Sequence, residues 1–342
     1  MRLFFGACVI LVVGFHAAGC LSSSNAPASG GGDDGGGQPQ SDAGSDAPTS
    51  TGSVDANAPE SGEASEAGAP ATFGTGHLTS PQGLAIDPAT GAVWVASFAG
   101  ALVKFDARGN YVATYGTSAP GKIAQGASVA LDSKGNVYVG DYGNHDVLEF
   151  DGTGAYVATF PSADAGGAAL GRVTGVAVDA NDHLFAIDDD DSLVLEFSAA
   201  GAVTSQFSTS QAGLAALAGS VGMHFDSTGD LWIADYYYQS FAHYSATGTL
   251  LVHYGTSSTS ATPGGFNQPY GLTVDASGNV WVTDSANDDV QEFGSDGTFK
   301  KLLGASGSGP GQLQGPSGVA VAANGQVLVA DGANDRIVVF DP

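Results

Sequence analysis

Between Gly83 and Phe340 the chain repeats one pattern of apolar and polar positions six times. A short apolar run leads into a turn rich in Asp, Asn and Gly, a second apolar run ends in Ala-Asp or a close variant, and an apolar run rich in aromatics follows. The second runs read AVWVAS, NVYVGD, HLFAID, DLWIAD, NVWVTD and QVLVAD, preceded in turn by GLAID, SVALD, GVAVD, GMHFD, GLTVD and GVAVA. Equivalent positions Asp87, Asp132, Asp179, Asp226, Asp275 and Ala322 lie 45, 47, 47, 49 and 47 residues apart. A period of this size belongs to repeat architectures, and the residue types decide which. Each run is 4–6 residues of Val, Ile, Leu, Trp, Tyr and Phe, often alternating with small or polar residues, which is too short for a helix and right for a strand. DPATG, DSKGN, DASGN and AANGQ separate the first and second strands, and DARGN, DGTGA, SATGT and GSDGT the third and fourth. In such loops Asp or Ser bonds its own backbone and Gly takes the positive φ. Four antiparallel strands in each of six repeats predict an all-β, six-bladed β-propeller.

The last repeat stops at Pro342 after its third strand, while ATFGT at Ala71–Thr75 reads like the end of a fourth strand such as VATYGT or LVHYGT. The N-terminal strand is therefore expected to complete the sixth blade and close the ring, which removes the exposed edges of an open array.

With the repeats aligned, the chain from about residue 71 to 342 resembles NHL repeats, in which a P-x-G-(V/I)-A-x-D strand precedes a (V/I)-Y-V-A-D strand and an Asn-His-Arg-like turn. PYGLTVDASGNVWVTDSANDDVQEF at Pro269–Phe293 and PSGVAVAANGQVLVADGANDRIVVF at Pro316–Phe340 carry the likeness best, followed by YGNHDVLEF at Tyr142–Phe150. Ser97 replaces the usual Asp in repeat one, Asp191 and Tyr238 stand at the position of Asn144, and only Arg336 keeps the final Arg. The resemblance implies ligands at a mouth formed by the loops joining strands two and three and those joining successive blades. It also implies an enzymatic alternative, a metal-dependent lyase or lactonase, because relatives of this fold include streptogramin-type lyases, amidating lyases with a His-bound zinc, and lactonases with a carboxylate-bound metal.

Ahead of the repeats, residues 1–19 carry one Arg and a long apolar stretch that ends in Ala17-Ala18-Gly19-Cys20. Small residues before a Cys resemble the bacterial lipobox, so 1–19 reads as a lipoprotein signal peptide and Cys20 as an acylated N-terminus. A transmembrane anchor is the competing reading, but the polar run from Leu21-Ser22-Ser23-Ser24 is no cationic stop-transfer flank. Each buried methylene of an acyl chain contributes about 0.8 kcal/mol, so multiple acylation anchors durably. Leu21, rather than Asp, after the Cys suggests the outer membrane of a diderm cell. Residues 20–70 are almost entirely Ser, Gly, Ala, Asp, Pro, Glu and Gln and read as a disordered tether, since so little apolar surface cannot offset ordering entropy. Apart from Cys8 in the signal peptide and Cys20 the chain has no cysteine, so a propeller over 71–342 holds together without disulfides.

The formal charge is −26; the tether holds eight of the acids, leaving the propeller 27 acids against 8 bases, or −19. A phosphate backbone is repelled by such a domain, which excludes nucleic acid and leaves cations, basic peptides and uncharged glycans as partners. Acidity that only keeps the protein soluble is the plainer reading.

The mouth loops hold most of what is unusual. Asp188-Asp189-Asp190-Asp191 concentrates carboxylates that a hard cation such as Ca²⁺ can neutralise, although the run lacks the Gly and spacing of an EF-hand loop, and a solvated acidic loop is the other reading. Tyr236-Tyr237-Tyr238, with Phe98 and Tyr142 at the same corner of other blades and His145 beside them, can form an aromatic rim for a sugar, a peptide or an apolar group, or can simply fill gaps between blade corners. His77, His145 and His224 are the histidines the topology allows near one mouth; His183, His243 and His253 are expected at turns or exposed strand positions. His224 occupies an inner-strand position held by Ala85, Ala130, Ala177 and Ala320, where a lone His is most often a core residue. Glu149, Glu196 and Glu292 share one repeat position, read as a solvated strand face. No catalytic set emerges, and the sequence is read as a monomeric, lipid-anchored envelope protein whose acidic propeller binds a protein, peptide or glycan.

Replacing Cys20 with Ser is expected to leave the propeller folded and to move the protein from the membrane to the soluble fraction; fractionation after a salt wash checks this, and quantitative membrane retention of the variant contradicts it.

Overall fold

The computed structural model describes residues 71–161, 169–209, 220–255 and 258–341. The signal peptide, Cys20 and the tether expected over 1–70 lie outside the described residues. Six four-stranded antiparallel sheets form the blades of a ring, each sheet ordered from the inner strand outward in chain order, the sixth excepted. The inner strands are Pro81–Ile86, Gly126–Leu131, Val173–Val178, Ser220–Phe225, Pro269–Val274 and Pro316–Val321. Each lies beside the inner strands of both neighbouring blades.

Blade six takes its outer strand from the start of the domain. Ala71–Phe73 runs antiparallel to Arg336–Phe340, with Ala71 opposite Val339, Thr72 opposite Val338 and Phe73 opposite Ile337. The expected closure is thus present as backbone pairing.

Close approach of the inner strands explains the glycine of each P-x-G. A Cβ at Gly271 would stand 2.2 Å from the carbonyl oxygen of Ser317, one at Gly318 2.4 Å from that of Gln82, and one at Gly83 2.6 Å from the Cα of Ser128. No real Cβ tolerates such contacts, so the ring can only be this tight where a side chain is missing. Blade two, with Ser128 at the same position, uses the hydroxyl instead, which accepts the Val176 N–H at 3.0 Å. Other hydroxyls join blades in the same way: Thr283 donates to the Ser317 carbonyl at 2.6 Å and Ser317 to that of Pro81 at 2.7 Å.

Between blades, side chains from facing sheets interdigitate in six apolar clusters, one at each junction. Trp94 and Trp232, both 1% exposed, sit in two of them. Burial of a large side chain contributes about 1.5–3 kcal/mol, and the core repeats that contribution around the ring. At the periphery, glycines of the turns joining third and outer strands let an aromatic of the preceding blade lie flat against them: Gly109 on Phe73, Gly154 on Tyr115, Gly248 on Phe207 and Gly297 on Tyr254.

At the lower end of the ring the turns between inner and second strands are closed by Asp in five blades, blade six having Ala322 there. Asp132 Oδ1 accepts the N–H groups of Lys134 and Asn136 at 2.9 and 2.8 Å, and Asp275 treats Ser277 and Asn279 alike. The second oxygen is used too, since Trp232 Nε1 donates to Asp226 at 2.9 Å and Trp281 Nε1 to Asp275 at 3.2 Å.

Deleting Ala71–Thr75 is expected to lower the melting temperature by about 10 °C or more, since several kcal/mol of pairing and packing are lost and 1 kcal/mol moves a domain of this size by about 2–4 °C. Deleting Ser29–Ser45 is expected to change it by less than about 1 °C. Equal shifts in calorimetry contradict closure by the N-terminal strand.

Candidate functional site

The upper end of the ring is built on the last residue of each second strand. Asp141, Asp188, Asp235, Asp284 and Asp331, with Ser97 in blade one, are all buried. An ionised carboxylate is buried at tolerable cost only when donors surround it, and the donors here are loop amides. Asp141 accepts the N–H groups of Ala124, Gln125, Gly143 and Asn144 at 2.7–3.1 Å and the Asn144 side-chain amide at 2.9 Å. It thereby ties the loop entering the blade to the loop between its second and third strands. Asp188 accepts Gly171 N–H at 2.8 Å and Asp191 N–H at 3.2 Å; Asp331 accepts Gln314 N–H at 2.7 Å and the Asn334 amide at 2.8 Å.

The residue that follows each anchor is placed by it. Phe98 N–H donates to the Ser80 carbonyl, Tyr142 N–H to Gln125 and Asp189 N–H to Arg172, at 2.9–3.0 Å. These following residues, with Tyr236, are the side chains the sequence marks at the mouth.

The aromatic residues fall into two groups. Phe98 and Tyr142 pack together across blades one and two with ring centroids 5.9 Å apart. Tyr236 stands edge-on to Tyr237 at 5.2 Å and to Tyr270 at 6.3 Å. Tyr237 is 62% exposed. Tyr238 is half-buried and makes no ring contact among the described residues. Sequence reasoning missed Tyr270. Its signal was the x of P-x-G, where Gln82, Ala127, Thr174 and Ser317 stand in other blades.

The four-aspartate run is not an open cation cradle. Arg172 Nε pairs with Asp190 at 2.7 Å, its NH2 with Asp189 at 3.0 Å, and its NH1 donates to the Tyr142 hydroxyl at 3.0 Å, with the guanidinium over the Tyr142 ring. Asp188 is committed to loop amides. The Arg172 pairing, the hydrogen bonds from the Arg172 backbone and side chain and the nearby His145 hold Asp190 below the usual carboxylate range against the opposing effect of burial. Among the described residues no three His, Cys, Asp or Glu side chains converge on a common point. Arg172 was the other residue missed in the sequence, the one base of its interblade loop.

Below the mouth runs a central channel of about 360 Å³ lined by the inner strands, with Tyr270, Gln82 and His224 among its walls. His224 faces it where Ala85, Ala130, Ala177 and Ala320 stand in other blades. Its Nδ1 is buried without a hydrogen-bond partner, and burial pulls the imidazole down to about 4, so it is neutral at physiological pH. His145 is exposed, in a left-handed conformation (φ 61°) that bends its loop. His77 does not join them: it lies stacked on Tyr111 of an outer strand at 3.9 Å. His183 is half exposed beside Asp179 as expected. His243 and His253 depart from expectation, being partly buried; His243 stacks on Trp232 at 4.0 Å because the outer strand and the next blade cover that position. For the same reason Glu292 is buried, with Lys301 Nζ 3.5 Å away, and the glutamate position is not a uniformly solvated face.

Comparison with known proteins places this geometry. The family model described as NHL repeat matches residues 266–293 and 313–340. The chain carries NHL repeats. No curated protein matches it in sequence. Among solved structures, the propeller is similar to streptogramin B lyase, with 15% identity, a TM-score of 0.57, and 80% of this chain and 97% of that one covered. It is also similar to virginiamycin B lyase from Staphylococcus aureus with quinupristin, at 13% identity and TM-score 0.57 over 79% and 98%. An auxiliary nutrient binding protein from Bacteroides ovatus follows at 14% identity and TM-score 0.62 over 78% of this chain and 70% of that one. At such identity the likeness carries the architecture.

Against the NHL pattern, one blade keeps the arginine and two invert its charge. In blade six Arg336 Nε bonds Asp331 at 2.8 Å, and its other nitrogens donate to the carbonyls of Ser308, Gly309 and Gln312. At the same register Asp146 faces Asp141 in blade two and Asp289 faces Asp284 in blade five. Asp146 Oδ1 and Asp289 Oδ1 are buried and unpartnered, whereas Asp141 and Asp284 collect donors. Burial, then the neighbouring Asp141, push Asp146 up to about 7, and burial raises Asp289 as well. In blade five burial, then the neighbouring Asp289, also push Asp284 up to about 7, so both carboxyls of that pair are drawn toward the protonated form.

An aspartate in the unfolded chain ionises near pH 4. Stability carried by the protons on Asp146 and Asp289 is therefore complete below about pH 4 and lost as pH rises through about 7. Asp146→Asn and Asp289→Asn, neutral at every pH, are each expected to raise the melting temperature by about 3–6 °C at pH 8 and by nothing at pH 4. Calorimetric shifts that do not depend on pH contradict the assignment.

Proposed function

We propose that this protein is a binding module of the cell envelope, tethered through acylated Cys20 and taking its ligand at the upper mouth of the propeller. The carrying observation is where the repeats cease to repeat. Lower turns between inner and second strands repeat one Asp-closed hairpin in five of six blades, whereas at the upper end Phe98 packs on Tyr142, Arg172 bonds Tyr142, and Tyr236 meets Tyr237 and Tyr270, the last on the channel wall. Binding sites characteristically combine apolar and aromatic walls with a few fixed polar groups, and the channel volume falls at the small end of their range of about 300–1,000 Å³.

Buried carboxylate anchors hold the mouth backbone, so the aromatic walls meet a ligand with little ordering cost. The solved relative described as an auxiliary nutrient binding protein supports capture of a soluble molecule as the role. A tether of the Ser-, Gly-, Asp- and Pro-rich composition of residues 20–70 suits capture at a membrane surface, where a ligand-binding head needs reach more than a fixed orientation. A domain with 27 acids against 8 bases selects against phosphate and carboxylate ligands.

Screening the full chain by saturation-transfer NMR against a set of neutral oligosaccharides, basic tripeptides and small organic cations tests the reading. Binders are expected to weaken about 10-fold or more in Tyr142→Ala or Tyr270→Ala, a loss of about 1.4 kcal/mol, and to be untouched by Asn324→Ala in a lower turn. Binders indifferent to both mouth substitutions contradict it.

A further inference from the structure

We propose that the corner formed by Tyr236, Tyr237 and Tyr270 is an aromatic cage for a compact organic ammonium ion. This rests on the mouth-binding reading and names the chemistry of its ligand. Three observations carry it.

The first is the shape of the corner. Tyr236 meets Tyr237 at an interplanar angle of 79° and Tyr270 at 82°, with centroids 5.2 and 6.3 Å apart. Rings set nearly at right angles make walls rather than a platform. A pyranose needs one open, flat ring face, but a cation is attracted to the face of each ring it can reach within about 6 Å, and walls at right angles surround it. Tyr237 is open to solvent and Tyr270 stands on the channel wall, so the corner lies on the path from outside to channel.

The second is that the corner is braced. Gln239 is 7% exposed and spans the two loops: its Nε2 donates to the Tyr236 carbonyl at 2.9 Å, and its Oε1 accepts Gln268 N–H at 2.5 Å, two residues before Tyr270. Gln239 itself adopts a φ of 52°, and Gln268 one of 67°. Two left-handed residues joined by one side chain fix Tyr236 relative to Tyr270 before any ligand arrives, and a preformed cage loses less entropy on binding.

The third is the charge. Across the mouth the protein already holds a cation in this manner, the Arg172 guanidinium, on Tyr142 and between Asp189 and Asp190. The tyrosine corner has the rings without a cation of its own: among the described residues the cation–ring contacts involve Trp94, Tyr142 and Trp281 only. Behind it lies the Asp235 carboxyl, which accepts the N–H groups of Tyr237 and Tyr238 at 3.1 and 3.0 Å. Burial pushes Asp235 up to about 7, so it serves the corner by holding its backbone, and the formal charge of −19 on the domain is what suits a cation and repels an anion.

Calorimetric titration of the full chain with choline and with its uncharged isostere 3,3-dimethylbutan-1-ol tests the proposal. Choline is expected to bind about 10-fold or more tightly than the alcohol, a margin of about 1.4 kcal/mol. Tyr237→Ala, at an exposed position that the fold does not need, is expected to weaken choline at least about 3-fold, and Tyr236→Phe to retain it, because ring and not hydroxyl is required. Gln239→Ala is expected to weaken choline with an unchanged preference over the alcohol, since it positions the walls without touching the ligand. Equal binding of the alcohol, or choline binding indifferent to Tyr237→Ala, overturns the cage. If choline fails while a neutral oligosaccharide still binds in a Tyr142-dependent way, the cage is wrong and the mouth reading stands; if nothing in the screen depends on the mouth, both are wrong.

Discussion

A carboxylate buried at the end of a strand needs several donors, and in this chain the nearest donors are the amides of two loops that would otherwise be free. Five of the six second strands end in such an aspartate, and the sixth ends in Ser97, whose hydroxyl bonds the Thr79 carbonyl. The upper face of the propeller follows from that requirement. Asp141, Asp188, Asp284, Asp331 and Ser97 each bond the loop arriving from the previous blade and the loop that turns back within their own, so the two are fixed together, while Asp235 holds the turn of its own blade, and the residue after the anchor is presented at the mouth. Phe98, Tyr142, Asp189 and Tyr236 owe their positions to it. The glycines of the inner strands supply the other half, because they let the ring close tightly enough for loops of neighbouring blades to share a donor.

The same residue pattern shows why the fold was legible in the sequence. Period, strand length, turn chemistry and the N-terminal ATFGT are local signals repeated six times, and local signals do not depend on what they pack against. The inner-strand glycines and the turn aspartates each found the role their residue type implied. Position in the mouth was legible for Phe98, Tyr142 and Tyr236 for the same reason, since they occupy one repeat position.

What the sequence did not disclose depends on contacts between blades. Asp188–Asp191 reads as a free cluster until Arg172, from the loop entering the blade, is seen lying against it. Tyr270 is unremarkable in its strand and acquires meaning from Tyr236 of the preceding blade. His77 reads as a mouth residue by loop position, yet it folds outward onto Tyr111. His243 and Glu292 occupy positions that alternate outward along their strands, but strongly packed outer strands and neighbouring blades cover them. Each of these is a relation between residues far apart in the chain, and a repeat period carries no record of such relations.

The charge pattern adds a second layer to the same frame. Blade six keeps the Asp331–Arg336 pair, while blades two and five place an aspartate that burial pushes up to about 7 where the arginine would stand. The frame tolerates this because the anchors Asp141 and Asp284 take their donors from loop amides rather than from that position. That dependence is what most needs testing, and amide hydrogen exchange in Asp141→Ala reads it directly. If the buried carboxylate holds the mouth, the amides of Ala124, Gln125, Gly143 and Asn144 lose protection together while the blade cores, including Val137–Val139, keep theirs. Unchanged protection at those four amides, or a uniform loss throughout the ring, contradicts the account.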